Sequence, residues 1–443
     1  MKHKLKGIVA VLMLFSTGIS AQEKKVLTLN EAIDLGLANS KMLKSNKAKV
    51  EEATAILKES QERKLPNASI SGSYLRLSSA NIDLKTKANN GTGGNTGETP
   101  KVSQAIYGIM NVSLPLYAGG KIRYGIESAK LLQKAVELDG ESQKDEVIQT
   151  TIEAYANLFK ANTAVRLVKE NLQQSQQREK DLGNLEKNGL LARNDLLKAQ
   201  LQSSNIELNL VDAENNLQIA NLNMNLLLGL PDQTPLQLDT AGIQRKEDSR
   251  TVEEFVQSAL KERKDIAALG LRKKAAETNI KAVKADMLPA LQLTGGYIAA
   301  DIPKLLSITN AVNIGVGVSY NIGSLWKTKS KVQQVEAQVK QLSINESILD
   351  DNIRLQVNKN YVSLLSYRKK IEVYAKAREQ AAENYRIVKN KFDNSLATLT
   401  DLLEADVANL QANLSFTLAR ADAFVAYNKL LQSAGILKNE LKK

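Results

Sequence analysis

Few side chains in this sequence could do covalent chemistry. His3 is the only histidine and there is no cysteine. That excludes Ser-His-Asp and Cys-His nucleophiles, imidazole or thiolate zinc sites, and a disulfide framework. The glycine-rich stretch Gly91–Gly97 suggests a phosphate cradle, yet it lacks the Lys-Ser/Thr ending and leads into a strand instead of a helix. It reads as a mobile external loop. Asp350 and Asp351 could suggest a metal or glycosidase pair, but adjacent helical residues point in different directions, so they read as a solvated face. Asp401 and Glu404 are three apart and share one helix face. What remains is the chemistry of fixed carboxylates: charge, and capping near helix N-termini where the dipole favours negative groups. No enzyme reaction, metal or cofactor is expected.

The elements that carry those carboxylates begin with a leader. Lys2, Lys4 and Lys6 precede a mostly apolar run, Gly7 to Ile19, and the small-residue end Ser20-Ala21. This is the pattern of a secretory signal spanning 1–21, too short to cross a bilayer as a helix. Cleavage after Ala21 would remove His3, and without a cysteine no lipid can be attached at the new terminus. The formal charge is +12, and subtracting the three leader lysines leaves +9. Basic and acidic residues are interspersed, as on solvated helix faces, so no nucleic-acid partner is expected. Scarce proline and few aromatics favour long helices.

The chain is two copies of one plan. An offset of 223 residues places the capping-box pattern Thr28/Glu31 on Thr251/Glu254, Leu65-Pro66 on Leu288-Pro289, and Tyr74 on Tyr297. Each copy should open with a helix of about 35 residues that stops at the proline. Further on the offset becomes 206, placing Lys121 on Lys327, Asn188 on Asn394, Asp195 on Asp401 and Gly229 on Gly435. The difference falls in one loop of the first copy, Ala88 to Pro100. The first repeat is therefore read as 22–230, with a β-hairpin at 67–117 and a helical hairpin at 121–229. A linker, 231–250, precedes the second repeat, 251–443, whose β-hairpin is 289–322 and helical hairpin 327–434.

Between each proline and the following long helix the apolar period is two. Val312, Ile314, Val316, Val318, Tyr320 and Ile322 alternate with Asn313, Gly315, Gly317, Ser319 and Asn321. In the first copy Ile106, Met110, Val112, Leu114 and Leu116 share a face, although Tyr107 and Ile109 blur the other. Four strands with one apolar face fit the wall of a membrane barrel but cannot close one, and open edges are not tolerated in lipid. Three copies would supply about twelve strands, enough to leave a lumen, whereas two would supply about eight and fill it with side chains.

The long helical stretches, Lys121 to Glu186 and Lys327 to Phe392, could each extend roughly 100 Å at 1.5 Å per residue. Positions 371, 374, 378, 381, 385, 388 and 392 form a seam with one intruder, Arg378. After a short turn the second helix returns through Leu396, Leu399, Leu403, Val407, Leu410 and Leu414. The expected class is mixed all-α plus membrane β, with two β-hairpins and two long antiparallel helical hairpins per chain. Trp326 and Tyr117 read as anchors at a membrane boundary, or as ordinary packing at the strand–helix joints.

This order of elements, duplicated, resembles the TolC-like outer-membrane efflux protein family. The residues carrying the resemblance are Leu27 to Ser40, the strands opening after Pro66 and Pro289, and the paired turns Asn188 to Gln200 and Asn394 to Asp406. The resemblance implies a homotrimer in the outer membrane of a Gram-negative bacterium, its 12-strand barrel continuous with a 12-helix tube across the periplasm. It implies a passive exit duct for an efflux pump or type I secretion system. An inner-membrane transporter and a periplasmic adaptor (membrane fusion) protein would be the partners. Carried over by residue, the adaptor-docking turns fall on Gly189, Leu190, Leu191 and Ala192, and on Ser395, Leu396, Ala397 and Thr398. The acidic constriction falls on Asp195, Asp401 and Glu404. Repeated threefold, such carboxylates would form rings that favour cations. Polar latch positions of some members correspond here to Phe392 and Ala397, which cannot form that latch. Arg193, beside Asp195, is the candidate for a substitute inter-hairpin gating ion pair. An adhesin or envelope-spanning trimer is the competing class, but its strands would be consecutive and at the chain's end. A periplasmic enzyme or binding module lacks any ligand or nucleophile constellation.

Overall fold

The computed structural model describes residues 25–80, 102–239, 248–303 and 305–441. The expected leader (1–21) and the glycine-rich loop (88–100) lie outside the described residues. The chain divides into two compact units. One holds residues 48–137 and 267–347, the other the remainder, and the helices Lys41–Glu62, Lys121–Lys187, Lys264–Lys284 and Ser324–Asp393 contribute to both.

The first unit is built on a four-stranded antiparallel sheet: β2 (Asn67–Ala80), β3 (Val102–Ala118), β5 (Ala290–Ile302) and β6 (Leu306–Ser319), paired in the order β2-β3-β5-β6. The middle pairing, β3 with β5, joins the hairpin of one repeat to that of the other, with Met110 opposite Tyr297 and Leu114 opposite Leu293. Each hairpin starts directly after its Leu-Pro step, because the residue before proline is pushed out of the helical region. Val312, Ile314, Val316 and Val318 are 77, 82, 62 and 72% exposed, so the apolar face of β6 has no cover among the described residues. The opposite face is polar in the same stretch. At Gly296 a Cβ would lie 3.0 Å from Asn313 Oδ1 and 3.3 Å from Asn111 Oδ1, which puts both amides on its side of the sheet.

The second unit is helical. Its helices are α1 (Leu29–Asn39), α3 (Lys121–Lys187, from Leu138 on), α4 (Arg193–Leu228), α5 (Val252–Glu262), α7 (Ser324–Asp393, from Ile348 on), α8 (Leu399–Ser433) and α9 (Leu437–Leu441). Both expected capping boxes form: Glu31 N donates to Thr28 Oγ1 at 3.2 Å, and Glu254 N to Thr251 Oγ1 at 3.3 Å. One core gathers Ile148, Ile152, Phe255, Ile353, Leu430 and Leu431; a second gathers Leu27, Tyr155, Leu158, Met224 and Leu228.

Three expectations need correction. The opening helix of each repeat is not continuous: α1 ends before Ser40 and α2 (Lys41–Glu62) follows, while α5 ends before Arg263 and α6 (Lys264–Lys284) follows. The two breaks are related by the same offset of 223. At the first, Ser40 Oγ caps the next helix by accepting from Leu43 N at 3.2 Å. At the second, Arg263 donates to Asp265, to Gln356 and to the carbonyl of Ser433. Second, the linker contains a strand, β4 (Leu236–Leu238), pairing in parallel with β1 (Lys25–Leu27). The buried Tyr155 hydroxyl fastens that pair, donating within 3.0 Å of Leu27 O and 2.6 Å of Asp239 O. Burial pushes its pKa up to about 12, so it stays a donor. Third, the returning helix α8 buries Asp406 and exposes Val407, the reverse of the expected apolar seam. The seam on α7 does follow 371, 374, 381, 385, 388 and 392, and Arg378 is accommodated by placing its guanidinium 4.1 Å from the centroid of the Phe416 ring.

Candidate functional site: the two helical-hairpin turns

The turns joining α3 to α4 and α7 to α8 have one backbone design. Gly189 N donates to Glu186 O and Leu190 N to Leu185 O, both at 2.9 Å; Ser395 N donates to Phe392 O at 2.9 Å and Leu396 N to Lys391 O at 2.7 Å. These paired bonds are the Schellman closure, which needs a left-handed residue at its bend. Gly189 supplies it with φ 70°, and Ser395 supplies it with φ 58°. The following leucines are pushed into solvent, Leu190 at 73% and Leu396 at 77% exposure. Leu191 turns the other way, packing with Phe392 and Leu403 against a small core of Leu182, Leu196, Ala199 and Leu399 that both turns share.

The matched carboxylates have different partners. Asp401 is the third residue of a capping box: its Oδ2 accepts from Thr398 N at 3.0 Å and from Thr398 Oγ1 at 2.7 Å, and Asp401 N donates back at 3.2 Å. Those bonds hold its carboxyl below the ordinary aspartate value, so it is ionised at neutral pH. Asp195 has no such cap, since Ala192 stands where Thr398 does; it pairs with Lys198 at 3.2 Å. Glu404 is exposed one turn beyond Asp401. Arg193 reaches Glu186 at 3.5 Å, across its own turn, and within the protomer it joins neither Asp195 nor the second hairpin. Ala397 is half-buried and Thr398 is committed to its cap.

Sequence reasoning missed the buried polar group behind the turns. Asp406 and Arg178 are only 4 and 12% exposed and meet at 3.0 Å. Asn171 Nδ2 donates to the other Asp406 oxygen at 3.2 Å, and Arg178 Nη2 donates to the Tyr385 hydroxyl at 3.3 Å. This network ties α3, α7 and α8 together. The available signal was the spacing Leu399, Leu403, Asp406, Leu410, which alternates four and three and so puts Asp406 on the seam. Among the described residues no three His, Cys, Asp or Glu side chains gather as metal ligands would. Among them, too, no helix is long and apolar enough to cross a membrane.

The sequence matches the family described as outer membrane efflux protein over residues 32–230 and 255–436. No curated protein sequence matches. Among solved structures, the chain is similar to the Campylobacter jejuni CmeC outer membrane channel, with 19% identity, TM-score 0.77, and 94% of this chain and 88% of that one covered. It is also similar to CusC (18% identity, TM-score 0.76, 92% of each chain). The third is the outer membrane protein VceC of Vibrio cholerae (18% identity, TM-score 0.73, 92% and 96%). At such identities the likeness is one of fold: a helical barrel with a β-barrel. The family match extends over most of the chain and over both repeats. The chain belongs to the outer membrane efflux protein family, and its place is the outer membrane, as the exit duct of an efflux pump.

Proposed function

We propose that three copies assemble, each giving four strands to a twelve-stranded barrel and two helical hairpins to a periplasmic tube. A periplasmic adaptor would dock at the hairpin turns, and an inner-membrane transporter would load the duct. The observation that carries this reading is the sheet. Strands β2 and β6 are its two edges, and the apolar face of β6 is exposed. In lipid an unpaired edge costs several kcal/mol for each backbone group, so the edges must pair with other copies. Leu190 and Leu396 supply the paired apolar knobs for the adaptor. Asp195, Asp401 and Glu404 supply the charge at the entrance, and Arg193 with Glu186 stiffens the first turn beside it. The third-residue position of Asp401 also serves its helix, so the charge and the cap are one feature with two uses.

The test is single-channel recording in planar bilayers, comparing wild type with Asp401→Asn/Glu404→Gln, which removes charge and keeps side-chain shape. Cation-selective steps that lose selectivity in the variant are expected. Selectivity unchanged by the double substitution would remove these residues from the constriction. Arg193→Ala is expected to raise open probability, and identical gating would dismiss its role.

A further inference from the structure

The sheet changes character along its length on both faces. Near the ends that join the helices, the face with Val312 to Val318 is apolar, and the opposite face carries Ser113, Thr294 and Gly315 in one row and Asn111, Gly296 and Asn313 in the next. Two residues further from the helices, that opposite face turns apolar on β3, β5 and β6, while β2 keeps Ser71 and Ser73 in the same rows. Ile109 pairs with Ile298, and the next row pairs Tyr107, Ala300 and Ile308; Ile302 follows. Over the same rows the formerly apolar face becomes mixed: Asp301 lies between Ile106 and Ser307, and one row further Arg76 is opposite Gln104.

A β-bulge extends the apolar patch. The register steps from Ile298↔Ala311 to Ala300↔Ile308, so β6 spends one more residue than β5 there. Asn310 sits in the left-handed region at φ 60°, and its N–H donates to the Tyr297 hydroxyl at 3.3 Å. Without the extra residue Thr309 would face Ala300; with it, Ile308 does. Bulges re-aim side chains, and this one replaces a hydroxyl by an apolar group.

We propose that these six residues, repeated in each copy, form an apolar collar inside the outer mouth of the barrel, which binds the apolar body of a departing amphipathic cation. The proposal rests on the barrel reading above. The apolar run from Tyr117 to Ile106 on the lipid side spans about 25 Å of membrane once strand tilt is allowed for, so the collar lies where the strands leave lipid. A lumen wall needs no apolar residues there, as the Ser, Thr, Asn and Gly rows beneath it show. Hydrated metal ions gain nothing from such a surface, whereas an organic solute does, by roughly 25 cal/mol per Å² removed from water. The Tyr107 ring adds a face that attracts quaternary or protonated amines.

Tetrapentylammonium and tetramethylammonium, added to the outer side of channels in planar bilayers, test the collar. Wild type should be blocked by the pentyl ion at a concentration about tenfold lower than by the methyl ion. Ile109→Ser/Ile298→Ser should cut that ratio to about threefold or less, Ile308→Thr should lower it less, and the polar-row change Asn111→Ser should leave it alone. An unchanged ratio in the double variant would overturn the collar. Raised basal conductance with an unchanged ratio would overturn it as well, showing that the apolar residues seal against each other across the axis. Wild-type trimers that insert yet pass no current, even with the tip carboxylates neutralised, would instead sink the open twelve-stranded barrel on which the collar rests.

Discussion

The turn at Asn188–Asp195 and the turn at Asn394–Asp401 close with the same two backbone bonds and expose the same leucine, yet their side chains are fastened differently. The first uses glycine at the bend, an uncapped helix start at Ala192, and ion pairs Arg193–Glu186 and Asp195–Lys198. The second uses serine in a left-handed conformation and a complete Thr398–Asp401 capping box. A repeated aspartate therefore does not mean a repeated job. In one copy it is held by a flexible lysine in solvent, where such pairs contribute about 0.2–1 kcal/mol. In the other it is fixed to backbone and hydroxyl. The second turn is the more rigid support for a charged ring, and the first is the more adaptable surface.

The largest effect should come from the group that both turns stand on. Asp406→Ala leaves the Arg178 guanidinium buried without its partner and should destabilise the protein by about 3–5 kcal/mol, measured by denaturant unfolding in detergent. The paired change Arg178→Met/Asp406→Leu should recover most of that loss. A single variant as stable as wild type would show that water reaches the pair, and that the turns do not share a rigid base.

Much of this architecture is legible in the sequence because it is written in periodicity. The switch from a helical period to a period of two at Pro66 and Pro289, and the Asn-turn recurring at 188 and 394, need only local pattern. What escapes is set by contacts far apart in the chain. The break at Arg263 depends on Gln356 and the Ser433 carbonyl, and the β1–β4 pair joins three-residue strands more than 200 positions apart. Asp406 was missed because a charged residue on an apolar seam looks like an error until Arg178 and Asn171 meet it. The Thr398 cap was readable: its Thr-x-x-Asp spacing is the one recognised at Thr28 and Thr251, with Asp in place of Glu. The bulge at Asn310 leaves no pattern that alternation alone could detect.

A smaller effect separates the two bends. Gly189→Ala meets no atom within 4 Å, so its cost is the backbone's alone, about 1 kcal/mol for a side chain held at positive φ. Ser395→Gly relieves that strain but gives the unfolded chain more freedom, and should change stability by less than about 0.5 kcal/mol. If the two changes proved equal in size, the shared closure would not be the common constraint.

The finest distinction lies in the caps. Thr398→Ala should speed amide hydrogen exchange at residues 399–402 about fivefold, while Ala192→Thr should slow exchange at 193–196 by a similar factor, because the added hydroxyl can accept from the Asp195 amide. The second turn should show a pH signature. The Asp401 carboxyl is held low by Thr398, so its contribution is complete above the ordinary aspartate pKa and disappears as pH falls through the lower folded value. Exchange at 399–402, corrected for its intrinsic rate, should therefore be flat from neutral pH to about 4 and accelerate below that. In Thr398→Ala the acceleration should be smaller. Matching pH profiles in wild type and Thr398→Ala would mean that the low carboxyl comes from the helix dipole, and the two turns would then differ in their bends and ion pairs alone.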